Sequence, residues 1–522
     1  MRPRSVNCLG AAALSLLAGA LLAGCASPRD PYAEAPARDQ LARSDALGDC
    51  LRRLQQLDAR IEAAGVRDAQ ELRVDGFPFL RADRLTVARS PEAHVVVAGS
   101  AAAGAVDAAA LAKAQVERMA ALDAEARAIE AANLRLDAGE LAALQRCRAD
   151  LLAALRADAR ATDAAVAAAA APMAYNDALR VVGIYPISKF PFVWGVAAWQ
   201  QSTRDLFATP FPELPVRGQR IRYVPGAAGS GPVAGLLPND AEVAPALRMP
   251  SVSPARAWQL LVQHAPVIVV DTVDDNDRIG RLVWRQSGSD LSVVVDTREP
   301  LTYVRIAWAE FAGRPAIQLV YTFWFPARPI DHPLDLVGGR LDALVWRVTL
   351  DPKGRPLVYD SIHACGCFHM FFPTERVRER PGPLDHEGLF DETMFSPQVV
   401  YSPGPDERVM VFLGSGDHNI LRVAVDQPRP APGVPYRLED ENTLRRLPLP
   451  AAAGGGTRSI FGPDGLVPGS ERAERLLFWP MGVPSAGQMR QWGHHATAFV
   501  GRRHFDDPRL IDRYFSLAPG AD

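Results

Sequence analysis

The spacing of apolar residues changes once along this 522-residue chain, and that change restricts the architectures open to it. Between about residues 40 and 171 the apolar residues recur every three or four positions. Leu47, Leu51, Leu54 and Ile61 form one such row, and Met119, Leu122, Ala126 and Ile129 another. Asp137 with Glu140 three residues on is a capping-box start, and the helix it opens carries Leu141, Leu144, Leu151 and Leu155 on one stripe. Further along, the period drops to two. Ile317, Leu319, Tyr321, Phe323 and Phe325 alternate with their neighbours, as do Leu344, Trp346, Val348 and Leu350. A segment cannot satisfy both periods with one buried face. The pattern therefore predicts an α+β chain: an N-terminal helical bundle or hairpin, then a larger antiparallel β-rich domain, sandwich-like or a curved sheet.

Composition sets the boundaries between these parts. Residues 25–39 read as a tether and 40–208 as the helical domain. The Pro- and Gly-rich stretch 209–250 reads as a linker, 251–426 as the β-rich domain, and 427–522 as a C-terminal segment that packs on that domain. Within the helical part, Gly76–Ser90 reads as a loop around a Phe-Pro-Phe turn. Pro186 and Pro191 are expected to break any long helix in the aromatic stretch Val181–Trp199. That stretch has no Lys/Arg face opposite its aromatics. It is expected to pack the helical part onto the next domain rather than to lie on lipid.

The N-terminus carries the most specific local signal. Arg2 and Arg4 precede an uncharged apolar run from Leu9 to Leu22, too short to span a bilayer. The run ends in Leu22-Ala23-Gly24-Cys25, which resembles the lipobox of bacterial lipoproteins. The resemblance covers about the first 27 residues. It implies a signal peptide at 1–24, cleavage before Cys25 and acylation there by chains such as palmitate. Ala26 and Ser27, with no Asp, imply by the same resemblance an outer-membrane lipoprotein facing the periplasm. Cleavage removes Arg2 and Arg4 and takes the formal charge from −3 to −5. No basic run or basic-aromatic interleaving suggests nucleic acid as a partner.

Cysteine use fits an oxidising compartment. Apart from Cys8 in the signal and Cys25, the chain has Cys50, Cys147, Cys365 and Cys367. Cys50 lies in the first helical stripe and Cys147 in the last, so a Cys50–Cys147 disulfide is predicted between antiparallel helices. The other two belong to the densest chemical cluster in the chain: His363, Cys365, Cys367 and His369, in the pattern H-x-C-x-C-x-H. Imidazole and thiolate suit zinc. In a straight strand the outer two would stand about 20 Å apart at about 3.3 Å per residue, too far for one ion. A bend at Gly366 would be needed to converge them. The alternatives are a strained Cys365–Cys367 disulfide or a buried core strand. His332, the run Asp385-His386-Glu387, His418, His494, His495 and His504 are the further imidazoles or carboxylates available to such a site. Asp271–Asp277 fails the EF-hand register and reads as a polar turn.

No nucleophile elbow, H-E-x-x-H or phosphate-cradling loop is present. The function expected is that of a lipid-anchored envelope protein with a structural or partner-binding role, its partners being the membrane and another envelope protein. The alternatives are a zinc-dependent hydrolase at 363–369, and a thiol–disulfide redox protein acting through Cys365 and Cys367.

Overall fold

A computed structural model describes residues 30–88, 107–226, 231–237, 243–247, 249–333, 335–380, 391–404, 406–426 and 432–520. The signal segment and Cys25 lie outside the described residues, as do Asp385, His386 and Glu387.

The N-terminal part is built on helices α1 (Ala46–Ala64), α2 (Ala108–Leu134), α3 (Ala138–Arg156) and α4 (Ala159–Ala167). Each starts at an aspartate whose carboxylate accepts a hydrogen bond from a first-turn N–H: Asp45, Asp107, Asp137 and Asp158. Their apolar faces close over Leu51, Leu54, Met119, Leu151 and Leu155. The disulfide joins α1 to α3, Cys50 to Cys147, with the Cα atoms 5.0 Å apart.

Three expectations for this part are corrected. The expected tether 25–39 packs on the fold from Tyr32, which is buried and whose hydroxyl donates to Asp58 at 2.7 Å, and residues 25–29 lie outside the described residues. The expected loop at 76–90 is largely a hairpin and a short helix. Strands β1 (Leu72–Val74) and β2 (Phe77–Ala82) pair antiparallel across a turn at Gly76, and Arg84–Ala88 is helical. Burial of Phe77, Phe79 and Leu80 against α2 outweighs the turn chemistry of Pro78. Finally, α5 (Asp177–Val182) is followed by α6, which runs without a break from Tyr185 to Ala208. Pro186 sits in the first turn, where no intrahelical N–H bond is lost. Pro191 lies inside, and α6 is held by its second half, where Thr203 and Phe207 are buried and Trp199 packs on Phe368 and Phe395. Thus α6 does pack onto the β part, by that face.

The β part centres on one ten-stranded sheet. Its strands, in chain order, are β3 (Gln219–Pro225), β4 (Val267–Thr272), β7 (Leu301–Phe311), β8 (Arg314–Arg328), β9 (Gly339–Leu350), β10 (Pro356–His363), β11 (Met370–Pro373), β13 (Arg408–Leu413), β14 (Ile420–Asp426) and β15 (Val434–Asp440). Their spatial order is β11-β10-β9-β8-β7-β15-β3-β4-β13-β14. Two strands omitted from it, β5 (Arg281–Ser287) and β6 (Asp290–Asp296), form a separate hairpin, and β12 (Val377–Glu379) pairs with Phe515–Leu517. The helix Pro254–His264, α7, covers one face of the large sheet through Leu260 and Leu261.

The meander β7 to β11 is antiparallel throughout, as the alternation in β8 and β9 predicts. The sheet as a whole is mixed, however. β15 pairs parallel with both β7 and β3, and β13 pairs parallel with β4. So the 209–250 stretch is more than a linker, since it supplies β3. Likewise the 427–522 stretch does more than pack on the domain, since β15 is a strand inside the sheet.

Candidate functional site

The H-x-C-x-C-x-H segment joins β10 to β11. The chain bends there as the presence of Gly366 allows: φ at Gly366 is 94°, the His363 N–H donates to the Cys367 carbonyl at 3.0 Å, and the Gly366 N–H donates to the His363 carbonyl at 2.7 Å. A side chain at 366 would also collide with the Ala496 carbonyl oxygen, 2.1 Å from an ideal Cβ.

The bend does not converge the four side chains. β10 pairs Asp360 with Arg347 and His363 with Leu344 on β9. Residues 360 and 363 differ in parity, so they face opposite sides of the sheet. On one side, His363 Nδ1 stands 3.5 Å from Asp342 Oδ1, and the other oxygen of Asp342 meets His418 Nδ1 at 2.8 Å. His418 Nε2 in turn lies 3.4 Å from Asp277, whose carboxylate also accepts from the Val273 and Gly416 N–H groups. On the other side, His369 Nε2 is 3.0 Å from Asp360, and Arg347 grips that carboxylate through two of its nitrogens, Nε at 2.9 Å and Nη2 at 2.5 Å. Cys365 and Cys367 lie in the core with Ile362 and Ala364.

Among the described residues, no group of three or more His, Cys, Asp or Glu side chains is placed to hold a metal ion. The donor set therefore does not fit a zinc centre, and the expected single neighbourhood is two networks divided by the sheet. His332 is exposed, and His494 hydrogen-bonds the Ala69 carbonyl at 2.7 Å. The two thiols are free and buried. The Cys367 thiol is pushed well up, first by its hydrogen bond to Cys365 and then by burial. A thiol so placed is a poor nucleophile. We expect Ellman's reagent to titrate Cys365 and Cys367 only after denaturation in the chain lacking residues 1–29. Reaction of either in the folded protein within minutes would overturn this.

The chain Asp277–His418–Asp342–His363 was not legible as a unit. Its members come from the acidic turn after β4, the β13–β14 turn, β9 and β10. It fastens the ends of these elements together without an opening to water: His418 and His363 are buried and His418 stacks on Phe325 with centroids 3.9 Å apart. Burial alone would push His418 down. Hydrogen bonds donated to Asp277 and Asp342, with the charges of those carboxylates, outweigh it and raise His418 to about 9. Its contribution to stability is then complete below the unfolded value near 6.5 and lost as pH rises from there through about 9. The nominal size is on the order of 3 kcal/mol at about 1.4 kcal/mol per unit. Burial prevails at His369, lowered to about 4, and at His495, lowered to about 3. Both stay neutral in the fold, so they withdraw stability as pH falls below about 6.5. Urea midpoints measured across this range should therefore peak near neutrality. His418→Gln should flatten the alkaline limb, and an unchanged limb would assign it to another group.

Comparison of the chain with family models, curated proteins and solved structures finds no match.

Proposed function

We propose that this chain is a lipid-anchored envelope protein facing the periplasm from the outer membrane, with a binding rather than a catalytic role, and that its α5–α6 face sits on the lipid surface. One observation carries the reading. Apolar side chains that a folded domain ordinarily covers stand in water here: Val181 is 77% exposed, Ile187 69% and Trp194 70%, with Leu476 at 69% beside them. The two segments adjoin. Phe192 meets Phe478 with ring centroids 4.9 Å apart, and a Cβ on Gly183 would touch Pro480. Contiguous exposed apolar surface of this kind marks an interaction face, and Trp and Phe favour the boundary of lipid and water.

The anchor supplies the occupant. Four residues separate Cys25 from Asp30, the first described residue, a reach of about 18 Å at most. An acylated Cys25 would keep the body against the bilayer, where an apolar face of moderate area suffices as a second contact. The disulfide agrees with an oxidising compartment. The enzyme readings gain no support from the histidines, which are enclosed in separate carboxylate networks, or from the buried thiols.

Two measurements test this. Cys25→Ser should lose fatty-acid label and membrane fractionation. In the unacylated mature chain, Ile187→Glu with Trp194→Glu should weaken flotation with phospholipid vesicles by about tenfold or more, given about 1.5–3 kcal/mol for each large apolar side chain buried. Equal flotation of the double variant would reject the docking face, and retained label in Cys25→Ser would reject the anchor.

A further inference from the structure

We propose that the junction between the helical part and the β part is a proton-operated latch, held closed while Glu71 carries a proton and loosened when Glu71 loses it. In the membrane-docked chain proposed above, the anchor hangs from the helical part and α6 packs on the β part, so the latch lies between the two membrane contacts. The latch itself rests on the geometry of the junction and is tested without lipid, so the two readings fail separately.

Charge is out of balance across this junction. Asp68 and Glu71 precede β1, Glu125 stands on α2, Asp440 ends β15 and Glu441 follows it. Two guanidiniums answer these five carboxylates. Arg445 reaches Asp68, Glu125 and, at 3.5 Å, Glu71, while Arg305 donates to Glu441 at 2.7 Å. The next cation, Arg81, is already paired with Glu130 at 2.6 Å. Glu71 is 5% exposed and Asp440 9%. Buried carboxylates in excess of their cations cannot all keep their charge. The only neutral donor to the Glu71 side chain among the described residues is Gln70, whose Nε2 stands 2.6 Å away.

Burial raises Glu71 to about 7. Arg445 pulls it down, and Asp68 and Glu125 push it up. Burial likewise raises Asp440 to about 6, with Glu125 and Glu441 adding to it against the N–H groups of Ala234 and Asn442. A glutamate free of the fold titrates near 4.5. The closed junction therefore holds a proton that the open one releases between about pH 4.5 and 7. Its grip is complete below that window, falls as pH rises through it and levels off above. A cleft gives the proton its path. It has a volume of about 50 Å³, runs between Leu122 and Glu125 on one side and Trp308 and Trp492 on the other, and has Glu71 in its wall. A water needs about 10–15 Å³ of such space, so a few fit. The other charges in the wall are paired among themselves, Arg84 with Asp506 at 3.1 Å and Arg118 with Asp83. His494, against the Ala69 carbonyl, is pushed down by burial and stays neutral.

The test is amide hydrogen exchange, read by mass spectrometry on the mature chain, unacylated and without lipid. Parent and Glu71→Gln are compared at the same pH, so that intrinsic exchange rates cancel. In the parent at pH 8, residues 68–74 and 440–446 should exchange faster than β8 and β9 after correction for intrinsic rate, because the junction opens by itself. Glu71→Gln, which keeps the shape of the protonated side chain, should slow that exchange by about thirtyfold or more at pH 8 and by about fivefold at most at pH 5. Should Glu71→Gln fail to fold, Asp440→Asn should show the same contrast between the two pH values. One common rate for the junction and the strands would mean that the junction opens only with the whole chain, and would overturn the latch. So would slowing of equal size at both pH values, or none at pH 8.

Discussion

Replacing Arg445 with methionine is expected to lower the unfolding free energy by about 3–5 kcal/mol, the usual result of removing one partner from a buried ion cluster. Arg445 is 1% exposed. Its Nε donates to Asp68 at 2.7 Å, and the same guanidinium reaches Glu125 and, at 3.5 Å, Glu71. Burial raises Glu71 to about 7, against the pull of Arg445, so this is a site where charge is already costly. Without the arginine, Asp68 keeps its hydrogen bond from Gln491 at 2.8 Å but faces two other carboxylates, and the cation left nearby, Arg81, is already paired with Glu130. The residue stands just after β15, in the C-terminal part, and its partners stand in the N-terminal helical part. The loss should thus appear as weakened coupling between the two. Urea unfolding of Arg445→Met should show the drop, and adding Asp68→Asn should restore part of it by removing the stranded charge. A loss under about 1 kcal/mol, or no coupling in the double variant, would show that the cluster does not hold the halves together.

That cluster also shows why part of the architecture escaped the sequence. The alternation in β8 and β9 was readable because each strand pairs with its chain neighbour, so one face stays buried along a continuous run. β3 and β15 pair with each other in parallel, although about two hundred residues separate them. Nothing local records such a partner, and both lie in Pro- and Gly-rich surroundings that suit a linker equally well. The same holds at the histidines. The density of His363, Cys365, Cys367 and His369 was visible, and so was the bend at Gly366. The parity that sends Asp360 and His363 to opposite faces could be counted only once the strand was known to end at residue 363. His418 was only one of several scattered imidazoles and Asp342 gave no signal at all, because a buried carboxylate paired to a histidine looks in sequence like any polar residue on a strand or turn. The acidic run Asp271–Asp277 is a turn only from Val273, since Asp271 and Thr272 end β4, and its last member completes the network.

The Cys50–Cys147 pair is the opposite case, in which position along two stripes was enough, and its removal should be among the largest single effects on stability. The bond spans a sequence separation of 97 and encloses α2 and the β1–β2 hairpin as well as the ends of α1 and α3. In the chain-entropy model, opening a loop of this length returns to the unfolded chain freedom worth about 4–5 kcal/mol. Little in the folded state should offset that loss. Both cysteines are buried beside Leu51, Leu54, Leu151 and Leu155, so alanine at each position fits the same apolar seam. Asp58 and Asp123 stay paired with Arg127 whether or not the bond exists. Cys50→Ala with Cys147→Ala should therefore keep its helical signal while its urea midpoint falls, and dithiothreitol should lower the unmodified protein by a similar amount. Reducing agent should leave the double variant unmoved, because Cys365 and Cys367 are thiols already. A double variant as stable as the parent, or a peptide map of exported protein with Cys50 and Cys147 both free, would refute the bond's role.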